Sequence, residues 1–210
     1  MKKSNSPISN YGNGSNMDDV VKIIRKNSKV FDTLQKNVKT ILSINCGDAV
    51  CEQYVIEKLF PYIKNVIHTD IIIPSNNKNR VIKKSAATAL KNHVTDLVLC
   101  FFPRYNSKGY SNIIDKCFKA KYLIFLGEFR EEGHCDPAEL ISQIKEEMDI
   151  LLCEQINYFM GIKDHIVVCE MKENEQRRTL ESEFSDNDDN NDERSFISRI
   201  FSKVRSLYVY

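Results

Sequence analysis

The sequence lacks the features of a secreted or membrane-spanning protein. No apolar run approaches the roughly 20 residues that a transmembrane helix needs. The first 16 residues contain two lysines but no apolar core of the kind found in secretory signals. We therefore expect a soluble, cytoplasmic protein.

Paired cysteines are also missing. The chain has seven cysteines, an odd number, and no two of them form a Cys-x-x-Cys motif. Zinc ribbons and thioredoxin-type redox centres depend on such pairs, so the sequence indicates neither. Most of the cysteines lie in apolar runs, which predicts reduced and buried thiols.

A large excess of one charge is absent as well. Thirty basic and 29 acidic residues give a net charge of +1. The chain as a whole therefore has no general attraction to nucleic acid or to an anionic membrane, and the sequence carries no strong nucleic-acid signal. The many Asn, Lys and Ile residues indicate an AT-rich genome.

Short apolar runs alternate with helical patterns through the centre of the chain. The runs predict strands at 40–45, 65–71, 81–84, 96–102, 122–126, 150–157 and 165–169. Helices are predicted at 17–37, 49–63, 86–92, 108–120 and 137–148. Such alternation predicts an α/β domain over residues 17–172, with a mostly parallel sheet of about seven strands and helices on both faces. The short last connection predicts an antiparallel pair at the end.

The ends of the chain differ from this domain in composition. Residues 1–16 are rich in Ser, Asn and Gly, which predicts a flexible arm. Residues 173–194 contain an acidic run and predict a disordered linker. Residues 195–210 form a basic amphipathic pattern, which predicts a helix. This helix could fold back on the domain, dock on a protein partner, or lie on an anionic membrane surface.

The most informative segment for chemistry is residues 42–52, with the sequence LSINCGDAVCE, which reads as strand, tight turn and helix. Gly47 lets the backbone of the turn approach a ligand closely. Asp70 follows at the end of the next predicted strand, where a carboxylate can accept both hydroxyls of a ribose. The pair predicts a site for an adenosyl or dinucleotide ligand.

This arrangement resembles the class I S-adenosylmethionine-dependent methyltransferases, whose fold is Rossmann-like. Their first motif, Asp-x-Gly-x-Gly-x-Gly, aligns with Ser43, Asn45, Gly47 and Ala49, so that only the middle glycine is present. The resemblance implies S-adenosylmethionine as cofactor, with Ser43, Asn45 and Gly47 near its methionine half. It also implies a contact near Ser85, where the family often has Asp or Asn after the third strand.

A second resemblance is to a poorly characterised methyltransferase-like family with the pattern Trp-Pro-Pro-Tyr, Ile-Gly-Glu and Gly-Cys. The matching residues here are Phe102-Pro103-Arg104-Tyr105, Leu126-Gly127-Glu128 and Gly133-His134-Cys135. The resemblance covers about 130 residues and implies a fold and a cofactor, but no substrate.

The second pattern supplies candidate residues at the acceptor side. Phe102 and Pro103 could form an aromatic wall against cofactor or substrate, or simply pack as a lid. Tyr105 and Glu128 are the candidate catalytic residues, and Glu128 could orient a substrate, act as a base, or accept structural hydrogen bonds. Glu128, His134 and Cys135 do not have the spacing of a standard zinc site, so we predict no metal.

Two main hypotheses follow. The first is an S-adenosylmethionine-binding, methyltransferase-like enzyme of unknown acceptor. The second is a catalytically degenerate Rossmann-like scaffold whose C-terminal helix recruits a partner. A nicotinamide oxidoreductase is a weaker third, because its Gly-x-Gly-x-x-Gly motif would need glycines at Asn45 and Val50.

Overall fold

The structure is a computed structural model that describes residues 15–103, 113–129, 138–159 and 162–172. The chain divides into two units, Met1–Lys172 and Glu173–Tyr210, and all described residues belong to the first. The predicted acidic linker and C-terminal helix, and most of the predicted N-terminal arm, lie outside the described residues. Tyr105, His134 and Cys135 also lie outside them.

The described residues build one seven-stranded sheet in the order β3-β2-β1-β4-β5-β7-β6. The strands are β1 (Thr40–Ile44), β2 (Asn65–Asp70), β3 (Ile82–Lys83), β4 (Leu97–Phe101), β5 (Tyr122–Gly127), β6 (Met148–Phe159) and β7 (Ile162–Met171). The first five strands run parallel, whereas β7 is antiparallel to both β5 and β6. The predicted mostly parallel sheet with a closing antiparallel pair is confirmed.

The two outer strands of the sheet differ in length. At one edge, β3 contributes only two residues. At the other edge, β6 has twelve residues, and its pairing with β7 shifts register between Ile150 and Leu152 and again between Ile156 and Phe159.

Helices cover both faces of the sheet, as predicted. They are α1 (Ser15–Lys26), α2 (Ser28–Asn37), α3 (Val50–Leu59), α4 (Ala86–Asn92), α5 (Ile113–Cys117) and α6 (Ala138–Glu147). Alternate residues of every strand except β3 enter two separate cores, one beneath α1 to α3 and one beneath α4 to α6. None of the described helices is long and apolar enough to cross a membrane.

The predicted leading helix at 17–37 is two helices in the structure, α1 and α2. The break falls at Asn27, whose side-chain oxygen accepts a hydrogen bond from the Val30 amide at 3.4 Å. An Asn side chain that caps the next helix in this way competes with continuation of the preceding one.

The sheet order indicates where a ligand crevice is expected. Strand β1 lies between β2 and β4, and the helices that follow β1 and β4 pack on opposite faces. Such a reversal opens a crevice at the carboxyl ends of the two strands, where ligands bind in doubly wound sheets. The segments that reach this point are the loop at 45–49 and the residues Phe102 and Pro103.

Candidate functional site

The loop after β1 has the backbone shape of a glycine-rich turn although it contains one glycine. Asn45, Gly47 and Ala49 all have left-handed backbones, with φ of 54°, 57° and 58°. A left-handed backbone costs most residues about 1–2 kcal/mol, less for Asn and nothing for Gly. Residues held in such conformations cluster at ligand sites. The three left-handed positions are those that the methyltransferase resemblance aligned with motif glycines.

The space above this loop is open on the side of Gly47. A Cβ atom added to Gly47 would meet no described atom within 4 Å. The glycine is therefore not required by a neighbouring side chain of the described structure. Its positive φ and the open space are what a closely approaching ligand needs.

Asp70 fastens the loop to the end of β2. Its Oδ2 accepts a hydrogen bond from the Gly47 amide at 2.8 Å, and its Oδ1 accepts one from the Ile72 amide at 2.9 Å. The side chain is only 2% exposed. The Gly47 amide is thus engaged within the protein, and Gly47 offers a ligand its bare Cα. Each Asp70 oxygen keeps a further lone pair, because a carboxylate has about four acceptor sites.

Ser43 lies in a buried hydrogen-bond chain that joins β1, β2 and α3. Its Oγ is 3.0 Å from Nδ1 of His68, whose Nε2 is 3.0 Å from Oε1 of Gln53. Because Oε1 only accepts, Nε2 carries the proton and Nδ1 accepts the Ser43 hydroxyl. Burial lowers the pKa of His68 to about 4, so the ring is neutral at pH 7. The structure therefore gives the Ser43 hydroxyl an internal partner.

Glu52 is a buried acid beside the loop that the sequence reasoning missed. It lies in the first turn of α3 and is 3% exposed. Burial, and then the charges of Asp48 and Asp70, raise its pKa to about 8, so the carboxyl is mostly protonated at pH 7. Burial, with Glu52 and Asp70, also raises the pKa of Cys46, which excludes that thiol as a nucleophile. No sequence pattern distinguishes Glu52 from an ordinary exposed acid in a first helical turn.

Ser85, a predicted cofactor contact, caps α4. Its hydroxyl accepts a hydrogen bond from the Thr88 amide at 3.2 Å. This is the ordinary role of a serine at a helix start and accounts for the residue without a ligand.

Phe102 follows β4 in a strained conformation. Its φ is 47°, which is a rare value for a bulky residue, and its amide donates a hydrogen bond to the Leu126 carbonyl at 2.6 Å. The side chain packs against the core beneath α1 to α3, and Pro103 is buried. The end of β4 is thus fixed beside the end of β5, where Glu128 follows.

Asp164 of β7 is a second acid beside the end of β5, and no sequence pattern points to it. Gly127 of β5 is paired with His165 of β7, so that Glu128 comes opposite Asp164. Asp164 is 3% exposed, and burial, with the charge of Glu128, raises its pKa to about 6. Only the cross-strand register brings the two acids together. Across the described residues, no three His, Cys, Asp or Glu side chains are placed to hold a metal ion.

Solved structures share this fold, and two of them illustrate the likeness. A Listeria monocytogenes protein provisionally described as a class I S-adenosylmethionine-dependent methyltransferase aligns with a TM-score of 0.50 and 18% identity, over 75% of this chain and 61% of its own. Magnesium protoporphyrin IX methyltransferase from Synechocystis PCC 6803, solved with bound S-adenosylmethionine, aligns with a TM-score of 0.51 and 12% identity, over 77% and 80%. No protein-family model and no curated protein matches the sequence.

The chain therefore has the class I methyltransferase fold, and the predicted fold class is confirmed. It spans less than two thirds of the Listeria protein. Sequence identities of 18% and 12% show that the fold is shared, but they do not show that the activity is shared. The finer resemblance at Phe102-Pro103-Arg104-Tyr105 and Leu126-Gly127-Glu128 is tested by neither structure and stays a prediction.

Proposed function

We propose that this chain binds S-adenosylmethionine at the crevice between β1 and β4 and is a methyltransferase-like enzyme. The observation that carries the proposal is the loop at Asn45, Gly47 and Ala49. It keeps the left-handed backbone of a glycine-rich ligand loop without two of the glycines. Ala49 keeps a strained left-handed backbone, and the space over Gly47 is open. A ligand that binds this conformation of the loop is the simplest explanation of both features.

The remaining residues suggest how the cofactor would lie. Its methionine half would pass over Gly47, near Asn45 and the end of Ser43's strand. Its ribose would use the lone pairs of Asp70 that the backbone leaves free. Ile71 and Ile72, which follow Asp70, are about half exposed and offer an apolar surface to adenine.

The acceptor would lie over the ends of β4 and β5, where Phe102, Pro103, Tyr105 and Glu128 are the candidate residues. The cofactor supplies an electrophilic methyl group on a sulfonium. Methyl transfer then requires chiefly that the acceptor be aligned and desolvated, which a rigid wall at Phe102 and Pro103 would favour.

Calorimetric titration with S-adenosylmethionine and S-adenosylhomocysteine tests the proposal. We expect saturable binding to the wild type and at least tenfold weaker binding to Asp70→Ala, a loss of about 1.4 kcal/mol. Asp32→Ala, which removes an exposed acid of α2, is the control and should bind normally. The proposal would be refuted if the wild type bound neither ligand at concentrations on the order of 1 mM. A Kd of that size corresponds to a binding free energy of about −4 kcal/mol.

The second candidate is a scaffold that has lost the cofactor. It is favoured by the engagement of the Asp70 carboxylate with two backbone amides and of the Ser43 hydroxyl with His68. In this alternative the hydrogen bonds of Asp70 and Ser43 hold the loop after β1 in place, and no ligand is needed for that purpose. The scaffold alternative would be supported if the folded wild type bound neither S-adenosylmethionine nor S-adenosylhomocysteine. In that case Asp70→Ala should lower only the stability of the protein.

A further inference from the structure

We infer that the cavity beside the outer edge of β2 is a second ligand site, for a small molecule with an apolar body and one anionic group. The cavity has a volume of about 640 Å³, which is typical of small-molecule sites. Among the described residues, none that lines it is a candidate for contact with the cofactor or the acceptor. The inference therefore goes beyond the proposed function and does not depend on cofactor binding.

The short edge strand leaves room for the cavity. β3 pairs only with Thr69 and Asp70, so no described strand lies beside the earlier part of β2. The cavity is lined by α3 and the residues that follow it, by β2, and by the segment that leads into β3. A ligand here would lie between elements whose positions are set by the fold.

Apolar side chains would contact the body of the ligand. Ile56 and Phe60 line the cavity from the α3 side and are otherwise buried in the core. Ile63 and Val66 are partly buried, and Ile82 of β3 is 44% exposed. Apolar surface that stays in contact with water inside a concave site favours binding of an apolar molecule.

The charges of the cavity favour an anion. Lys64 and Arg80 are exposed, and neither forms an ion pair with another described residue. Glu57 is the acid among the described lining residues, and it accepts a hydrogen bond from Nε2 of Gln53 at 2.9 Å. His68 is neutral, and both of its ring nitrogens have partners. Two cations therefore face one acid, and an anionic ligand is attracted to the surplus.

The backbone of Arg80 is held in place beside the cavity. Its φ is 53°, and its amide donates a hydrogen bond to the Asn77 carbonyl at 3.3 Å. The Asn77 side chain accepts from the Val81 amide at 2.6 Å and donates to the Val81 carbonyl at 3.0 Å. Asn79 donates to the Asp48 carbonyl at 2.8 Å. Because this segment is already ordered, binding of an anion to the guanidinium group requires less ordering of the protein.

The anionic group can be a carboxylate, a phosphate or a sulfonate, because guanidinium and ammonium groups bind all three. A cationic ligand would be repelled by Lys64 and Arg80. A neutral apolar ligand would gain nothing from either of them.

The test uses two dyes with the same apolar body. Anilinonaphthalene sulfonate carries a sulfonate group, and phenylnaphthylamine is the same molecule without that group. Both become fluorescent when they move from water to an apolar site, so titration of the full chain with each dye gives two dissociation constants. A substitution that removes only a charge contact should change the constant of the sulfonate dye alone.

We expect saturable binding of both dyes to the wild type. Arg80→Gln and Lys64→Gln should each weaken binding of the sulfonate dye about threefold, and the double variant about tenfold, with phenylnaphthylamine unchanged. Ile82→Thr should weaken both dyes, because it removes apolar surface that both would contact. Lys78→Gln, which removes an exposed lysine near Arg80 that does not line the cavity, is the matched control and should change neither.

The inference is wrong if the sulfonate dye does not bind at concentrations on the order of 1 mM. It is also wrong if the double variant binds this dye as tightly as the wild type, since the dye would then lie elsewhere. Equal weakening of both dyes in the double variant would show that charge does not select the ligand. All four positions are exposed, and circular dichroism checks that the variants stay folded. Cofactor binding is decided separately, by the titration with S-adenosylmethionine.

Discussion

The Asp70 carboxylate holds the Gly47 amide at 2.8 Å across 23 positions of sequence. This one hydrogen bond joins the end of β2 to the loop after β1. The bond links Gly47, which is expected to contact the methionine half of S-adenosylmethionine, to Asp70, which is expected to contact its ribose. The position of the loop therefore depends on Asp70 whether or not a ligand is present.

Asp70→Ala should destabilise the protein by about 2 kcal/mol, because the amides of Gly47 and Ile72 lose their acceptor. Asp70→Asn keeps one acceptor oxygen and should lose less. Urea unfolding at constant pH measures both changes. A loss for Asp70→Ala no larger than that for the exposed Asp32→Ala would show that the loop does not need this support.

Gly47→Ala should cost about 1–2 kcal/mol of stability, since its φ of 57° is unfavourable for alanine. No steric cost is expected, because the added methyl group meets open space. S-adenosylhomocysteine binding should weaken at least tenfold, since the methyl group would occupy the ligand's path. Thermal unfolding and calorimetry measure the two effects, and unchanged affinity in a folded variant would place the ligand elsewhere.

Ala49→Val should destabilise the protein by about 2–3 kcal/mol, because a β-branched residue is forced into a left-handed backbone in a fully buried position. Ala49→Gly removes the backbone cost of about 1–2 kcal/mol but loses a buried methyl worth about 0.8 kcal/mol. We expect that variant to lie close to the wild type in urea midpoint. If the valine and glycine variants were equally stable, the prediction that the backbone of Ala49 is strained would be wrong.

Glu52 should make the protein less stable as pH rises. Its pKa is raised from 4.5 to about 8, so the unfolded chain loses this proton at lower pH than the folded chain does. The stabilisation is fully present below pH 4.5 and is lost as the pH rises toward 8. Glu52→Gln should remove this loss and be more stable than wild type at pH 8 by about 3–4 kcal/mol. Urea unfolding from pH 5 to 8 measures it, with Glu57→Gln on the exposed side of α3 as control.

His68 should act in the opposite direction and in a lower pH range. Its pKa is lowered from 6.5 to about 4, so the unfolded chain takes up a proton that the folded chain refuses. The stability due to neutral His68 is complete above pH 6.5 and is lost as the pH falls toward 4, by up to about 3 kcal/mol. The advantage of wild type over His68→Gln should therefore shrink on acidification. An advantage that stays constant across this pH range would disprove the neutral buried ring of His68.

The centre of the sheet could be predicted from the sequence because β1, β4 and β5 are largely apolar, buried runs. Residues 96–102 predicted β4, which the structure places at Leu97–Phe101, and β5 was predicted to within one residue. Such runs are buried on both faces and leave little choice of element. The break at Asn27 was missed because a single capping side chain decided it within an otherwise continuous helical pattern.

The site could be predicted only in part. A glycine in a strand–turn–helix segment and an acid at the next strand end are local signals, and the structure joins Gly47 to Asp70. The left-handed φ of Ala49 and the pairing of Glu128 with Asp164 have no local signal. The first depends on how the loop is held by its neighbours, and the second on the register between strands far apart in sequence.

The unequal outer strands determine where this sheet could grow. A strand added by another chain needs a row of free backbone amides and carbonyls, and the two residues of β3 give it almost nothing to follow. The twelve residues of β6 would give more, but the two interruptions in their alignment with β7 kink that row. Neither edge strand therefore favours the addition of a strand from another copy of the chain. Fibre formation would first require β3 or β6 to change its structure.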